Sequence, residues 1–198
     1  MILPKEVQPD SLVHLHFSTE MQVSKVNQSA VSVRQETPAD LPAIRRVNTD
    51  AFGRPAEANL VDVLRRHWQV MFSVVAEVER EVVGHALLTQ VTLMPTVPGL
   101  RMLGLGPVAV LPQFQGQGIG TMLMQEAIGQ ACADGWQVIV ALGNPEYSTR
   151  FAFVPAREVG LGCEFRVPAE SFMVLELRPG TLEGLSGVVR YQPEFSGF

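Results

Sequence analysis

The run PVAVLPQFQGQGIGTMLMQEA, residues 107–127, constrains the fold more than any other stretch of the chain. An apolar, strand-like segment leads through Pro112 to Gly116, Gly118 and Gly120 and then into helical spacing. Glycine inside a helix is roughly 1 kcal/mol less favourable than alanine, so three glycines in what reads as a first helical turn need a compensating role. One role is close packing of helix on strand. The other is a ligand: free N–H groups at a helix start, unshielded by side chains and reinforced by the helix dipole, suit an anionic oxygen cluster such as a pyrophosphate. Taken alone the glycines favour packing; the order of elements around them favours the ligand.

Other nucleotide loops fit less well. In the dinucleotide fingerprint GxGxxG the third glycine would fall at Thr121, and the stretch follows an antiparallel hairpin instead of opening a βαβ unit. No Gly-Lys-Ser/Thr is present to make an ATPase phosphate loop.

Along the chain, residues 1–29 carry no strong period, although Leu12 to Phe17 partly alternates as a short strand would, and they read as an extension. Val31-Ser32-Val33-Arg34 alternates as a strand. Thr37-Pro38-Ala39-Asp40 follows with a capping threonine, a proline at the first helical position and an acidic first turn. Leu41, Ile44, Val47 and Ala51 share one helical face. Leu60, Leu64 and Trp68 mark a second helix over about 57–68. The period then changes: residues 71–79 and 82–94 read as an antiparallel hairpin bent at Glu79-Arg80-Glu81. Residues 100–111 form a third strand broken at Gly106-Pro107, where proline removes a ladder donor and glycine permits a bulge. A helix to about Ala133 follows, with Ile119, Leu123, Ala127 and Ala131 on one face. Trp136 to Leu142 reads as a strand covered on both sides. A short helix over about 145–152 and a last strand near 172–177 complete the ordered part. Strands first in a hairpin and then alternating with helices give an α/β (α+β) class, a mixed sheet with helices on both faces.

With 198 residues, 46% hydrophobic and 18% charged, the chain suits one ordinary globular domain. A net charge of −5 without any basic run speaks against a nucleic-acid partner. No apolar run reaches membrane-spanning length and the amino terminus lacks the form of a secretory signal. Cys132 and Cys163 make neither a metal spacing nor a disulfide framework, which together predicts a cytoplasmic protein without a membrane. His14 and His16 form H-x-H with no third ligand nearby, so no metal is expected.

Gln115-Gly116-Gln117-Gly118-Ile119-Gly120 resembles the Q/R-x-x-G-x-G/A signature of the GNAT family of N-acetyltransferases. The resemblance extends from about Val31 to Leu177. It includes the strand from Gly106 to Pro112 and the loop and short helix Asn144 to Phe153. The tail, Phe172 to Gly180 and Val189 to Phe195, is similar to the YhbS-like subgroup of predicted bacterial acetyltransferases. The resemblance implies a GNAT-like, mainly antiparallel central sheet with helices on both faces and a splayed strand pair that binds acyl-coenzyme A. It implies an acetyltransferase domain over 30–178, with residues 179–198 packed on or next to it as a tail. Acetyl-coenzyme A is the implied co-substrate and a small-molecule or protein amine the implied acceptor; a homodimer is left open. Backbone groups of Val108, Ala109 and Val110 would meet the pantetheine arm, with the Val108 amide on the thioester oxygen. The amides of Gln115, Gly116, Gln117, Gly118, Ile119, Gly120 and Thr121 would hold the pyrophosphate, and Asn144 would border the same site.

Two departures bear on the chemistry. The position that the family gives to a proton-donating tyrosine is Ser148, with Tyr147 beside it, and Ala152 replaces the family glycine. Tyr147 and Ser148 are therefore the general-acid candidates. His85 is the leading candidate base because imidazole titrates near neutrality, set against a hydrogen-bonded core histidine; Glu57 and Glu77 are further options. A non-catalytic acyl-coenzyme A sensor on the same fold is the alternative function.

Overall fold

The computed structural model describes residues 31–197. The extension over residues 1–29, with its strand reading and with His14 and His16, lies outside the described residues.

Apolar alternation in Val31–Gln35 makes an edge strand, β1. The entry to the first helix is fastened by Asp40, whose carboxylate accepts from the Thr37 N–H at 2.7 Å and from the Thr37 hydroxyl at 2.9 Å while pairing with Arg34 at 2.7 Å. Pro38–Asp40 forms a single 3₁₀ turn ahead of α1 (Leu41–Phe52), and α2 (Ala56–Arg66) packs against α1. Trp68 does not share the buried face of α2 with Leu60 and Leu64, as its spacing suggests. The helix ends at Arg66, and Trp68 stands beyond it at φ 58° and 92% exposed. Its backbone has left the helical path, so the four-residue repeat no longer decides which way it points.

The hairpin predicted from the change of period is β2 (Val70–Val78) and β3 (Glu81–Met94), joined through Glu79 and Arg80, both at positive φ as a tight hairpin turn requires. After β4 (Met102–Val110) come α3 (Ile119–Ala133), β5 (Val138–Leu142) and the short α4 (Pro145–Ser148), which runs into a 3₁₀ turn over Thr149–Phe151. Ala152, where the related pattern has glycine, takes the left-handed backbone at φ 63° that glycine favours. Short strands β6 (Val154–Pro155) and β7 (Leu161–Cys163) precede β8 (Phe172–Glu176) and β9 (Gly187–Arg190).

The main sheet runs β1-β2-β3-β4-β5-β8-β6, and β9 pairs with both β3 and β7. Neighbours are antiparallel except β4 with β5 and β7 with β9, which gives the mixed, mainly antiparallel sheet expected. Successive residues of β3 define its two faces. Gly84 turns toward α3, where an added Cβ would lie 2.9 Å from Leu123 and 3.2 Å from Ile119; His85 turns to α1, 3.0 Å from Asn48. Helices therefore cover both faces. The pairing of β9 differs from the expectation that residues 172–177 end the ordered part, since Val188, Val189 and Arg190 pair with Met94, Leu93 and Thr92.

Candidate active site

Strands β4 and β5 run side by side only from Met102↔Val138 to Leu105↔Ala141. Beyond that point β4 continues along β3, with Val108, Ala109 and Val110 opposite Ala86, His85 and Gly84, while β5 ends at Leu142. Between Leu88↔Leu105 and Ala86↔Val108 the register shifts, because β4 carries Gly106 and Pro107 across a stretch where β3 has Leu87 alone. This is the bulge read from Gly106-Pro107. Gly106 sits at φ 143°, open to glycine and strained for other residues, and nothing would lie within 4 Å of a Cβ there. The unpaired edge of β4 from Gly106 to Val110 faces a gap in the sheet.

That gap opens into a cavity of about 700 Å³. On the α3 side lie Gln115, Gly116, Gly118, Ile119, Gly120 and Thr121; on the β4 edge lie Val108 and Val110; Asn144, Tyr147 and Ser148 form a third wall. The glycines differ in place from the sequence expectation. Gly116 at φ 71° and Gly118 at φ 84° precede the helix and shape the turn into it, and only Gly120 lies in its first turn. The first amide bonded back into the helix is that of Met122, 3.1 Å from the Gly118 carbonyl, which leaves the N–H groups of Gly118, Ile119, Gly120 and Thr121 ahead of it without helical partners. A Cβ on Gly116 would meet nothing within 4 Å, and one on Gly120 would stand 2.8 Å from the Tyr147 hydroxyl. The cradle is main chain with its amide donors free, the polarity that suits an anionic group.

Two candidates from this stretch stand apart. Ala109 is buried against the sheet and does not line the cavity, and Gln117 turns its amide to the Gln113 carbonyl at 2.9 Å. Ala109 lies opposite His85 in the β3–β4 ladder, and Gln117 offers the turn its main chain alone. The Gln115 side chain donates to the Val110 carbonyl at 2.9 Å, tying the turn to the end of β4.

On the third wall, Asn144 caps α4 by accepting the Glu146 N–H at 2.9 Å. Tyr147 and Ser148 both reach the cavity although they are adjacent. Tyr147 packs edge-on against Phe151, with ring centroids 5.4 Å apart. Burial pushes its phenol up from the ordinary value, opposed by Thr121 and the Arg150 guanidinium, and its hydroxyl has no partner at hydrogen-bond geometry among the described residues.

The base candidates separate clearly. His85 is fully buried on the α1 side of β3, away from the cavity lining. Its Nδ1 is 3.0 Å from the Asn48 amide nitrogen and its Nε2 is 3.0 Å from the Ser73 hydroxyl, which also donates to Glu36. Burial, with the Arg65 charge adding to it, pulls its pKa down to about 3, so the ring is neutral at pH 7. It is the hydrogen-bonded core histidine that stood against the base reading. Glu77 is held by Arg34 at 2.8 Å on β2, also outside the lining. Glu57, in the first turn of α2, lines the cavity.

The state of His85 has a measurable consequence. Below the ordinary imidazole pKa of 6.5 the unfolded chain takes up a proton that the folded ring refuses, so stability is lost as pH falls from 6.5 toward 3. Between pH 6.5 and 4.5 the wild-type unfolding free energy in urea should drop by about 2 kcal/mol more than that of a His85→Gln variant. Equal slopes would show an imidazole that binds its proton equally well in the folded and unfolded chain.

Phe52, Leu60, Tyr191 and Phe195, which the sequence did not single out as site residues, also line the cavity. They come from α1, α2 and the carboxy-terminal segment, whereas the cradle belongs to α3 on the other face, so the cavity passes through the sheet where β4 and β5 part. Among the described residues no group of three His, Cys, Asp or Glu is disposed to hold a metal, and no helix is long and apolar enough to cross a membrane.

A sheet opened beside a bare helix start, with a second mouth on its opposite face, is the architecture of the GNAT fold. The sequence profile of the acetyltransferase (GNAT) family matches residues 41–150, and the chain belongs to that family. It is 30% identical over 167 residues to the uncharacterized N-acetyltransferase YhbS of Escherichia coli strain K12, a match covering 84% of this chain and 99% of the relative. The crystal structure of Escherichia coli YhbS in complex with CoA superposes with a TM-score of 0.80 at 29% identity, covering 84% of this chain and 92% of that one. A GNAT family acetyltransferase from Brucella melitensis in complex with acetyl-CoA gives a TM-score of 0.69 at 32% identity, covering 83% and 97%.

Proposed function

We propose that the protein transfers the acetyl group of acetyl-coenzyme A to a primary amine by direct attack of the amine nitrogen on the thioester carbonyl. The observation that carries this reading is the row of unpaired amides from Gly118 to Thr121 opening onto the free edge of β4. Those amides, with the main chain of Gln115, Gly116 and Gln117, would hold the pyrophosphate; the exposed edge at Val108 and Val110 would take the pantetheine arm; Asn144 would shape the wall beyond. The relatives solved with CoA and with acetyl-CoA support this assignment. Both described cysteines are free, in keeping with a cytoplasmic setting.

The Val108 amide would donate to the thioester oxygen as negative charge grows there. As the carbon–nitrogen bond forms and the carbon–sulfur bond breaks, Tyr147 would give its proton to the departing thiolate and be reprotonated, through water, by the proton the nitrogen sheds on becoming an amide, with Ser148 beside it as the other candidate. An alkylamine of pKa ~10.4 arrives protonated at neutral pH and must lose that proton before it attacks. Glu57, the one base candidate in the lining, would draw the ammonium in and accept its proton through water. The test is release of coenzyme A from acetyl-coenzyme A against a panel of primary amines. Turnover with at least one amine is the expected result; tight binding of acetyl-coenzyme A with no turnover across the panel would leave a sensor on the same fold and remove the catalytic reading.

A further inference from the structure

The mouth of the cavity opposite the cradle has its own chemistry. Phe52 ends α1, Glu57 and Leu60 lie on α2, and Tyr191 and Phe195 come from the chain after β9, their rings 5.2 Å apart and tilted by 57°. The Tyr191 ring rests on bare backbone, since a Cβ on Gly104 of β4 would lie 2.7 Å from it. The carboxy-terminal segment packs on α2, where Glu194 meets His67 at 2.5 Å, and this places Phe195 against the cavity. Among the described cavity-lining residues only Glu57 and Arg150 carry charge, and Arg150 belongs to the Tyr147 wall, 6.0 Å from that ring. Glu57 is the sole carboxylate among them.

Glu57 is also available. Its side chain is 15% exposed, and its partner Arg54, 64% exposed, approaches from solvent. Arg54 fills Oε1 with two bonds, from Nε at 3.1 Å and Nη2 at 2.5 Å, whereas Oε2 takes only the 3.2 Å bond from Nε and keeps a lone pair for another donor. Burial alone would raise this carboxyl, but hydrogen bonds and charge from Arg54 outweigh it, so the group is ionised at neutral pH.

We propose that this mouth receives a small amine with a single positive charge on an apolar, ring-sized body, of the arylalkylamine class: Glu57 takes the ammonium group, and Phe52, Leu60, Tyr191 and Phe195 enclose the body. The assignment rests on the acetyltransferase reading given above. One carboxylate leaves the further charges of a polyamine unmatched. The aromatic wall offers a sugar amine few hydrogen-bond partners, and a substrate carboxylate would face Glu57. The buried Tyr191 hydroxyl, without a partner among the described residues, is the one added polar group on this side.

The experiment compares kcat/KM for 2-phenylethylamine, spermidine, glucosamine and glutamate with the wild-type protein. It then repeats the first with Glu57→Gln, Phe195→Ala and the milder Phe195→Leu. The wild type should favour 2-phenylethylamine by at least about tenfold. Glu57→Gln should raise its KM by about 10- to 100-fold and, with the proton acceptor gone, lower kcat as well, with the KM for acetyl-coenzyme A unchanged within about twofold because the lost contact is to the acceptor. Phe195→Ala should erode the preference among amines, and Phe195→Leu should retain most of it. Preference for spermidine, glucosamine or glutamate, or an unaltered amine KM in Glu57→Gln, would overturn the assignment while leaving acetyl transfer established. Binding of acetyl-coenzyme A with transfer to none of the amines would overturn both readings.

Discussion

A Gly120→Asp variant is expected to bind coenzyme A about 100-fold more weakly than the wild type, with no loss of folding stability. A carboxylate there would stand about 4 Å from the proposed pyrophosphate, where like charges repel by about 1 kcal/mol in water and about 4 kcal/mol at the effective dielectric of a protein surface. The middle of that range, about 2.5 kcal/mol, is close to the hundredfold. Stability should not suffer for two reasons. An acidic residue in a first helical turn is favourable by about 0.3–1 kcal/mol, and glycine is the poorest ordinary helix former. The close neighbour of the new Cβ is the Tyr147 hydroxyl, the tip of a side chain that can swing. Gly120→Ala separates the two effects: it displaces that hydroxyl without adding charge and should weaken binding by about tenfold or less. Calorimetric titration with coenzyme A, alongside urea unfolding, reads both quantities; a Gly120→Asp protein with full affinity would mean that the turn into α3 is a packing device and no phosphate site.

The second large effect is expected from Tyr147→Phe, which should lower kcat by about 100-fold, the lower end of what a positioned general acid contributes. The KM for acetyl-coenzyme A should change little. Phenylalanine preserves the ring and its edge contact with Phe151, so the substitution removes only the hydroxyl. Because burial raises the phenol above 10, it is protonated throughout the neutral range and able to donate to a thiolate as it leaves. The sign of the pH dependence follows: wild-type kcat should hold steady from neutrality upward and fall only as pH rises through that raised value. Initial rates of thiol release for Tyr147→Phe and Ser148→Ala decide between the two neighbours. A hundredfold loss in Ser148→Ala and none in Tyr147→Phe would transfer the role to the serine.

How much of this could be read from the sequence depended on how local each determinant was. The β2–β3 hairpin, the bulge at Gly106-Pro107 and the helix beginning beside Gly120 each follow from a few consecutive residues, and each stands in the structure where the sequence put it. Strands β6, β7 and β9 did not show, because stretches of 2, 3 and 4 residues carry no period. They become strands only through partners far away in the chain, as Val189 does through Leu93. Trp68 fitted a helical repeat that its own backbone had already left. The site divided along the same line. The bare turn into α3 was legible because glycine records what the main chain must do. The opposite mouth was not, because Phe52 and Phe195 are brought together by topology and neither looks unusual among its neighbours. His85 drew attention through its titration range, and only its surroundings, Asn48 and Ser73, reveal a core residue.

The four residue pairs between Met102↔Val138 and Leu105↔Ala141 are the whole seam between two leaves, one ending in β4 and the other beginning with β5. Whatever lies along the open end of that seam replaces the rungs that a longer β5 would have supplied. On this view the nucleotide thioester works as a keystone as well as a reactant, and the stiffness of the joint varies with its occupant. The loss of the acyl donor should then be felt across the span of the sheet, in the relative motion of its two leaves.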